Sequence, residues 1–566
     1  MPSPTETSSV VATSLLGLET TDSLIHSYKW YTDNLIETFD LSFSFISSNS
    51  FFSTFNYDSD VDTDLLWSAV TDFNLSQKDA LRDIISSWSN VSGISFIEVE
   101  ESATTVGDIR LGLSSNVEKV VGDATAFAYL PDNFYPSAGD IWFNATANDL
   151  VGGLVTNTFA NSNFEPGSLA NHTAIHEVGH ALGLKHPFES SNGSSTILSK
   201  NLDEISNTVM SYTYSANDDS VLGLISYPTT PMKFDIEAIE HLYGKNLSFN
   251  SGDTQYSFGD GKFYFETIYD SSGIDTIYYD GNYKLDLSLE SGSANFIGKR
   301  VETYGDGSTG SEYAIANIYL SSNVEIENAV GSRADDIIKG NDLNNEITGG
   351  YGDDSLYGGS GNDILKGGPG SDKVYGGDGL DTYKVTSAHD QFVIQKQSED
   401  TWLLNGDIDE GNDIITGIER ISFNDVTIGD KVDQVLAFDT DAGDTAGQSY
   451  RLYQAAFARI PDNQGVAYHV NDMENNGLTL EQVANNFLAS DEFKTKYGEN
   501  PSDVEYINAL YHNVLSRSPA EGEVSYYKNQ FDTGLMTHAA ALIGFAESPE
   551  NIALVSPQIE NGIMFF

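Results

Sequence analysis

Between residues 331 and 384 the chain repeats itself every nine positions: GSRADDIIK, GNDLNNEIT, GGYGDDSLY, GGSGNDILK, GGPGSDKVY and GGDGLDTYK. The eighth position holds Ile338, Ile347, Leu356, Leu365, Val374 and Tyr383, and the sixth holds Asp336, Asn345, Asp354, Asp363, Asp372 and Asp381. A flexible acidic linker has no reason to keep one large side chain at a fixed period. A parallel β-roll does, because each short strand points that residue inward while the glycines permit the tight turns. The sixth-position carboxylates then face one another on successive turns, where their repulsion calls for a hard cation. Calcium fits, since it accepts carboxylate and backbone oxygens in a flexible shell. The expected calcium ligands are Asp336, Asp354, Asp363, Asp372 and Asp381. The first two repeats lack the second and fourth glycines, so the strongest sites are expected within 349–384.

The rest of the composition agrees with a cation-binding chain. Twenty-seven basic residues against 84 acidic ones give a net charge of −57, which argues against nucleic acid and anionic membranes as partners. There is no cysteine, so any transition metal must be held by His, carboxylate or Tyr. The first 24 residues carry no basic residue ahead of a short apolar patch, unlike a Sec signal peptide. The longest apolar run, AAALIGFA (539–546), is far too short to span a bilayer, and no membrane insertion is expected.

Four segments are expected. Residues 1–27 form an N-terminal segment, either trimmed as a propeptide or disordered. Residues 28–244 read as an α+β domain. A helix over 76–90 carries Leu81, Ile84, Ile85 and Trp88 on one face behind a Ser76 to Asp79 cap. Strand-like runs follow at 94–100, 108–113, 126–131 and 139–144, and a further helix lies at 234–244. Residues 245–430 turn to Gly, Asp, Tyr and Ser and contain the repeats. Residues 431–566 are helical in pattern and duplicated at a 58-residue offset, with Tyr453 matching Tyr511 and Arg459 matching Arg517. Those arginines are expected to organise helix ends rather than bind a ligand. The chain is thus multidomain: an α+β domain, an all-β parallel roll and a small all-α domain.

Four of the ten histidines lie in HTAIHEVGHALGLKHP (172–187). His176 and His180 are i and i+4 on a helix, so their rings share one face one turn apart. Gly183 lets the backbone turn, and His186 can reach back as a third ligand. Three imidazoles leave a position open, the arrangement of a catalytic zinc. Glu177 lies where a carboxylate can take a proton from water activated by that zinc. His172 falls outside the spacing and is expected to pack beside the site.

HExxHxxGxxH resembles the metzincin zinc signature, and Met210 in NTVMSY (207–212) resembles the downstream Met-turn. Pro187 after the third histidine and Tyr212 two residues after the methionine are similar to the serralysin pattern. So are YKW, AFAYLP, DIEAIEHLYG, SGIDT, IENAVG and the nonapeptides, in order over residues 28–430. The resemblance implies a secreted, extracellular bacterial zinc endopeptidase, monomeric, acting on proteins or peptides. It implies Zn ligands His176, His180 and His186, the base Glu177, and Tyr212 as oxyanion helper or further Zn ligand, with Met210 beneath the metal. It also implies type I secretion machinery as a partner, a C-terminal signal and a calcium-filled RTX roll. The family's linker arginine has no counterpart in KNLSFNSGDT (245–254), which bears on Asp253 and Asp275 as calcium ligands. By the same analogy, substrate is expected along an edge strand near 139–144. Residues 431–566 resemble a helical domain of unknown function appended to bacterial RTX proteins. The alternative is a calcium-dependent surface or matrix protein that keeps a protease-like scaffold without activity.

Overall fold

The computed structural model describes the whole chain except residues 1–2, 5–7, 32–38, 54–56, 58–61, 192, 215–220, 306–313, 407–409, 425, 428–429 and 432–433. It divides into two compact units, 1–339 and 340–566, so the division falls inside the repeat tract.

In the first unit a five-stranded sheet is backed by helices. Strands β1 (Phe39–Phe45), β2 (Ile94–Glu98), β3 (Ile109–Ser114), β4 (Ala126–Ala128) and β5 (Asp140–Asn144) lie in the order β2-β1-β3-β5-β4. Only β4 is antiparallel to its neighbour, pairing Phe127 with Trp142. The expectation that substrate lies along 139–144 is therefore corrected: β5 is flanked by β3 and β4, and the free edge belongs to β4. The buried run Ile141-Trp142-Phe143 marks a strand covered on both faces.

Helix α1 (Leu75–Asn90) lays Leu81, Ile84, Ile85 and Trp88 on the core. Its cap is Asn74, not Ser76. Asn74 accepts from the Gln77 amide while Gln77 Oε1 accepts from Asn74 N, a reciprocal box that Ser76 and Asp79 do not make. Helix α2 (Leu169–Ala181) is capped by Ser168 and buried on nearly every side, and α3 (Lys233–Tyr243) ends at Gly244. Fully buried Ile175 and Val178 on α2 contribute about 2 kcal/mol each by leaving water.

The described residues of the N-terminal segment carry local structure and buried side chains. A helical turn, Glu19–Asp22, leads into Leu24 and Ile25, which have no exposed surface. Val10–Ala12 pairs with Tyr28–Trp30. Apolar burial and backbone pairing hold the segment in the domain, although its sequence has no periodicity to announce this.

The first unit also contains the opening turns of the roll, with parallel pairing among Gln255–Phe258, Thr276–Tyr279 and Asn328–Val330. In the second unit the strands of the repeats form two sheets. Glu346–Thr348, Ile364–Lys366 and Thr382–Lys384 stack in parallel on one, and Ser355–Ser360 and Lys373–Asp378 on the other. The register advances eighteen residues per turn, so two nonapeptides make one turn. Every eighth-position side chain in this unit, Ile347 to Tyr383, is buried. Gly368 and Gly370, second and fourth in their repeat, have φ of 107° and 156°, which only glycine adopts without strain.

The helical part repeats itself to the residue. Helices starting at Thr445, Asn463, Leu480 and Asp491 are matched by helices starting at Asp503, Glu521, His538 and Pro549. Arg459 binds Glu492 at 2.8 Å and packs on Tyr453, and Arg517 binds Glu550 at 2.9 Å and packs on Tyr511. Each arginine follows a residue with positive φ, Ala458 or Ser516, just past the end of a helix. No helix among the described residues is long and apolar enough to cross a membrane.

Candidate metal centre

Helix α2 carries His176 and His180 one turn apart, and Gly183, with φ of 102°, turns the chain so that His186 comes back to them. The three histidines form the metal-ligating group found among the described residues. His186 Nε2 lies 3.1 Å from His180 Nε2 and 3.3 Å from His176 Nε2. His176 Nδ1 donates to Val209 O at 2.7 Å and His180 Nδ1 to Leu184 O at 2.8 Å, which leaves a lone pair on each Nε2. His186 Nδ1 lies 3.1 Å from Glu189 Oε1 without the alignment of a hydrogen bond.

Burial and the neighbouring imidazoles push His176 and His180 down, His180 to about 3, so both rings stay neutral as a metal requires. Glu177 is 5% exposed, its Oε2 has no hydrogen-bond partner, and burial pushes its carboxyl up to about 8. Tyr212 is 61% exposed and its hydroxyl is hydrogen-bonded to His186 Nε2 at 2.6 Å, at the mouth of the triad. Three convergent Nε2 atoms, the third of them met by the Tyr212 hydroxyl, beside an orphaned carboxylate oxygen fit a tetrahedral N-ligand metal with one open position.

Met210 is fully buried, and its sulfur would lie 2.7 Å from a Cβ on Gly179, so the glycine between His176 and His180 lets the turn at Met210 approach. Pro187 O accepts from Leu198 N at 2.8 Å, closing the loop after His186. His172 lines the cleft beside His176 and stacks on Tyr227. Ala126, Phe127 and Ala128 of β4 line the other side of the cleft with Glu177, His180, His186 and Tyr212.

Sequence reasoning misses Asp235. Its Oδ2 accepts from Val209 N and Met232 N, both at 2.8 Å, and its Oδ1 from Thr208 Oγ1. Val209 O in turn accepts from His176 Nδ1, so a buried carboxylate on α3 holds the turn at residues 208–210 against His176. The place of Asp235 three residues after Met232 signals the cap bond to Met232 N but not the bond to Val209 N. Asp235→Ala orphans two buried N–H groups, and a loss of about 3 kcal/mol is expected in denaturant unfolding.

In the roll, Asp363 Oδ1 accepts from Asn345 N and Asp372 Oδ1 from Asp354 N, both at 2.8 Å, and Asp381 Oδ1 from Asp363 N at 2.9 Å. The second oxygens of Asp363, Asp372 and Asp381 are buried with no hydrogen-bond partner. A Cβ at Gly367 would collide with that oxygen of Asp372. Rows of orphaned carboxylate oxygens beside exposed-backbone turns fit a hard cation. Asp354 sits equivalently beside Gly349. Asp336 is buried and bonded to Leu285 N and Ser332. Asp275 keeps one orphaned oxygen, whereas Asp253 bonds Ile274 N.

Burial first, then neighbouring carboxylates, raise Asp363 and Asp372 from 3.8 to about 6. The metal-free fold thus favours the protonated form: its stability is fully present below about pH 4 and falls as pH rises through 6. Calcium binding at these carboxylates would displace those protons. In calorimetric titrations its affinity is expected to be flat above about pH 7 and to fall about tenfold per carboxylate by pH 5.

Three family models match the chain: Matrixin over residues 64–223, the RTX calcium-binding nonapeptide repeat over 330–365 and 348–383, and a domain of unknown function, DUF4214, over 484–555. Among curated relatives, Serralysin of Proteus mirabilis is 30% identical over 297 residues, 49% of this chain and 56% of the relative. Serralysin C of Dickeya chrysanthemi is 32% identical over 285 residues, 47% and 53%. Metallopeptidase AprA of Pseudomonas marginalis is 28% identical over 302 residues, 50% and 57%. The chain spans little more than half the length of these relatives. In its matched domains, in their order and in these relatives the chain is similar to the serralysins over about half its length, and a C-terminal domain of unknown function follows the repeats.

Proposed function

We propose that the chain is a calcium-stabilised zinc endopeptidase that acts outside the cell, with residues 28–244 as catalytic domain, 245–430 as roll and 431–566 as the appended helical domain. The observation that carries this is the convergence of three Nε2 atoms beside the orphaned carboxylate oxygen of Glu177. His176, His180 and His186 would hold zinc, which supplies a Lewis acid for the scissile carbonyl and acidifies water. Glu177 takes the proton from the attacking water and delivers it to the amine as the C–N bond breaks. The Tyr212 hydroxyl, at the mouth of the triad, turns from His186 to donate to the oxyanion.

An extended substrate would add to the free edge of β4, whose residues line the cleft beside Glu177 and Tyr212. Calcium would occupy the carboxylate rows of the roll, with Asp336, Asp253 and Asp275 as outlying ligands. Millimolar calcium outside cells would favour the folded roll there, which suits passage through type I secretion machinery before folding.

The test is casein cleavage by the calcium-loaded chain before and after removal of zinc with a zinc-selective chelator. Cleavage that stops and returns with added zinc supports the reading; a chain that holds zinc and cleaves nothing refutes it.

A further inference from the structure

Lys185 stands immediately before the third histidine and is 3% exposed, a rare place for an ammonium. Its Nζ donates to the carbonyls of Ser23 and Glu189 and, at 3.1 Å, to Thr196 O. These acceptors belong to two pieces of chain far apart in sequence: the N-terminal segment, and the loop that leaves His186. The same two pieces are stitched elsewhere. Lys185 N donates to Leu24 O at 2.7 Å and His26 N to Gly183 O at 2.9 Å, with Ile25 bridged to Leu184. Ser194 Oγ donates to Asp22 O at 2.7 Å. Leu184 O, in the centre of this pairing, is the acceptor that orients His180.

We infer that Lys185 is a positioning residue for the metal centre: its ammonium ties residues 22–26 to the loop 186–196 and so holds His186 against His176 and His180. This rests on the zinc reading above. Residues 22–26 are then part of the active-site framework. The geometry gives a reason for a buried cation beside a cation site. Charge-assisted hydrogen bonds to several carbonyls are stronger than neutral ones, and here they join two stretches of chain through one atom.

The experiment uses the full calcium-loaded chain and reads zinc affinity by competition with a chelating dye, beside hydrogen exchange of the zinc-free protein. Lys185→Met should weaken zinc binding by about 10- to 100-fold, the effect of losing an outer partner of a ligand. Amides of residues 186–198 should exchange faster while α2 keeps its protection, and Lys185→Arg should recover part of the affinity. A dissociation constant within twofold of the wild type overturns the inference, as does loss of protection spread over the whole domain with affinity unchanged. Should Lys185→Met fail to fold, Ser194→Ala removes one stitch between the same two pieces. A smaller loss of affinity there supports the inference, and an unchanged value overturns it. A wild-type chain that binds no zinc at the triad defeats the zinc reading itself, a result distinct from either.

Discussion

Glu177→Gln is expected to lower peptide hydrolysis by about 10²- to 10⁴-fold while one zinc per chain is retained. Glu177 makes no hydrogen bond through Oε2, touches none of the partners that hold the triad, and lies on a helix whose cap and core contacts are elsewhere. Glutamine keeps its shape, so the fold and the three ligands stay in place and only proton transfer is lost. A protease-like scaffold used for binding would show no difference between the two proteins, since neither would cleave. Kinetics on a quenched peptide, with zinc measured on both proteins, decides between them.

Withdrawal of calcium is expected to unfold the roll of the second unit while its helices persist. Strands of three residues separated by glycines bury one side chain each, too little to offset the entropy of ordering those turns alone. The orphaned oxygens of Asp363, Asp372 and Asp381 add buried repulsion that only a cation or a proton relieves. The helical part has its own core, built from Tyr453, Phe487, Ile507, Leu510, Leu542 and Phe545, with no residue from the roll. Circular dichroism on adding chelator should therefore lose strand signal and keep helix signal. Asp372→Ala should shift the calcium midpoint upward by about tenfold or more. Retention of the full strand signal in chelator would contradict this account.

The features legible in the sequence are those with a short repeat. His176, His180 and His186 are set by helix periodicity and one glycine turn, and the roll announces itself by a nine-residue period whose eighth position is buried. The duplicated helices follow from a single 58-residue offset. Features made by contacts distant in sequence are silent. Nothing near Asp235 says that it holds Val209, nothing in residues 19–26 says that they pair with 183–185, and β5 gives no local sign that β4 lies outside it. The same holds for Ile563–Phe565, which pairs with Gln434–Ala437 across most of the helical domain's sequence. Where strands sit in a sheet is decided by crossovers, and the alternation of residues within each strand is the same whichever neighbour it takes.

The central claim is that His176, His180 and His186 hold a zinc with a position open to water and substrate. X-ray absorption at the zinc edge, on the calcium-loaded full chain and on His186→Ala, tests it most directly. The account predicts one zinc per chain in a four- or five-coordinate shell of nitrogen and oxygen containing three imidazoles, falling to two in the variant. A shell with fewer than three imidazoles in the wild type, or one unchanged in His186→Ala, would contradict it.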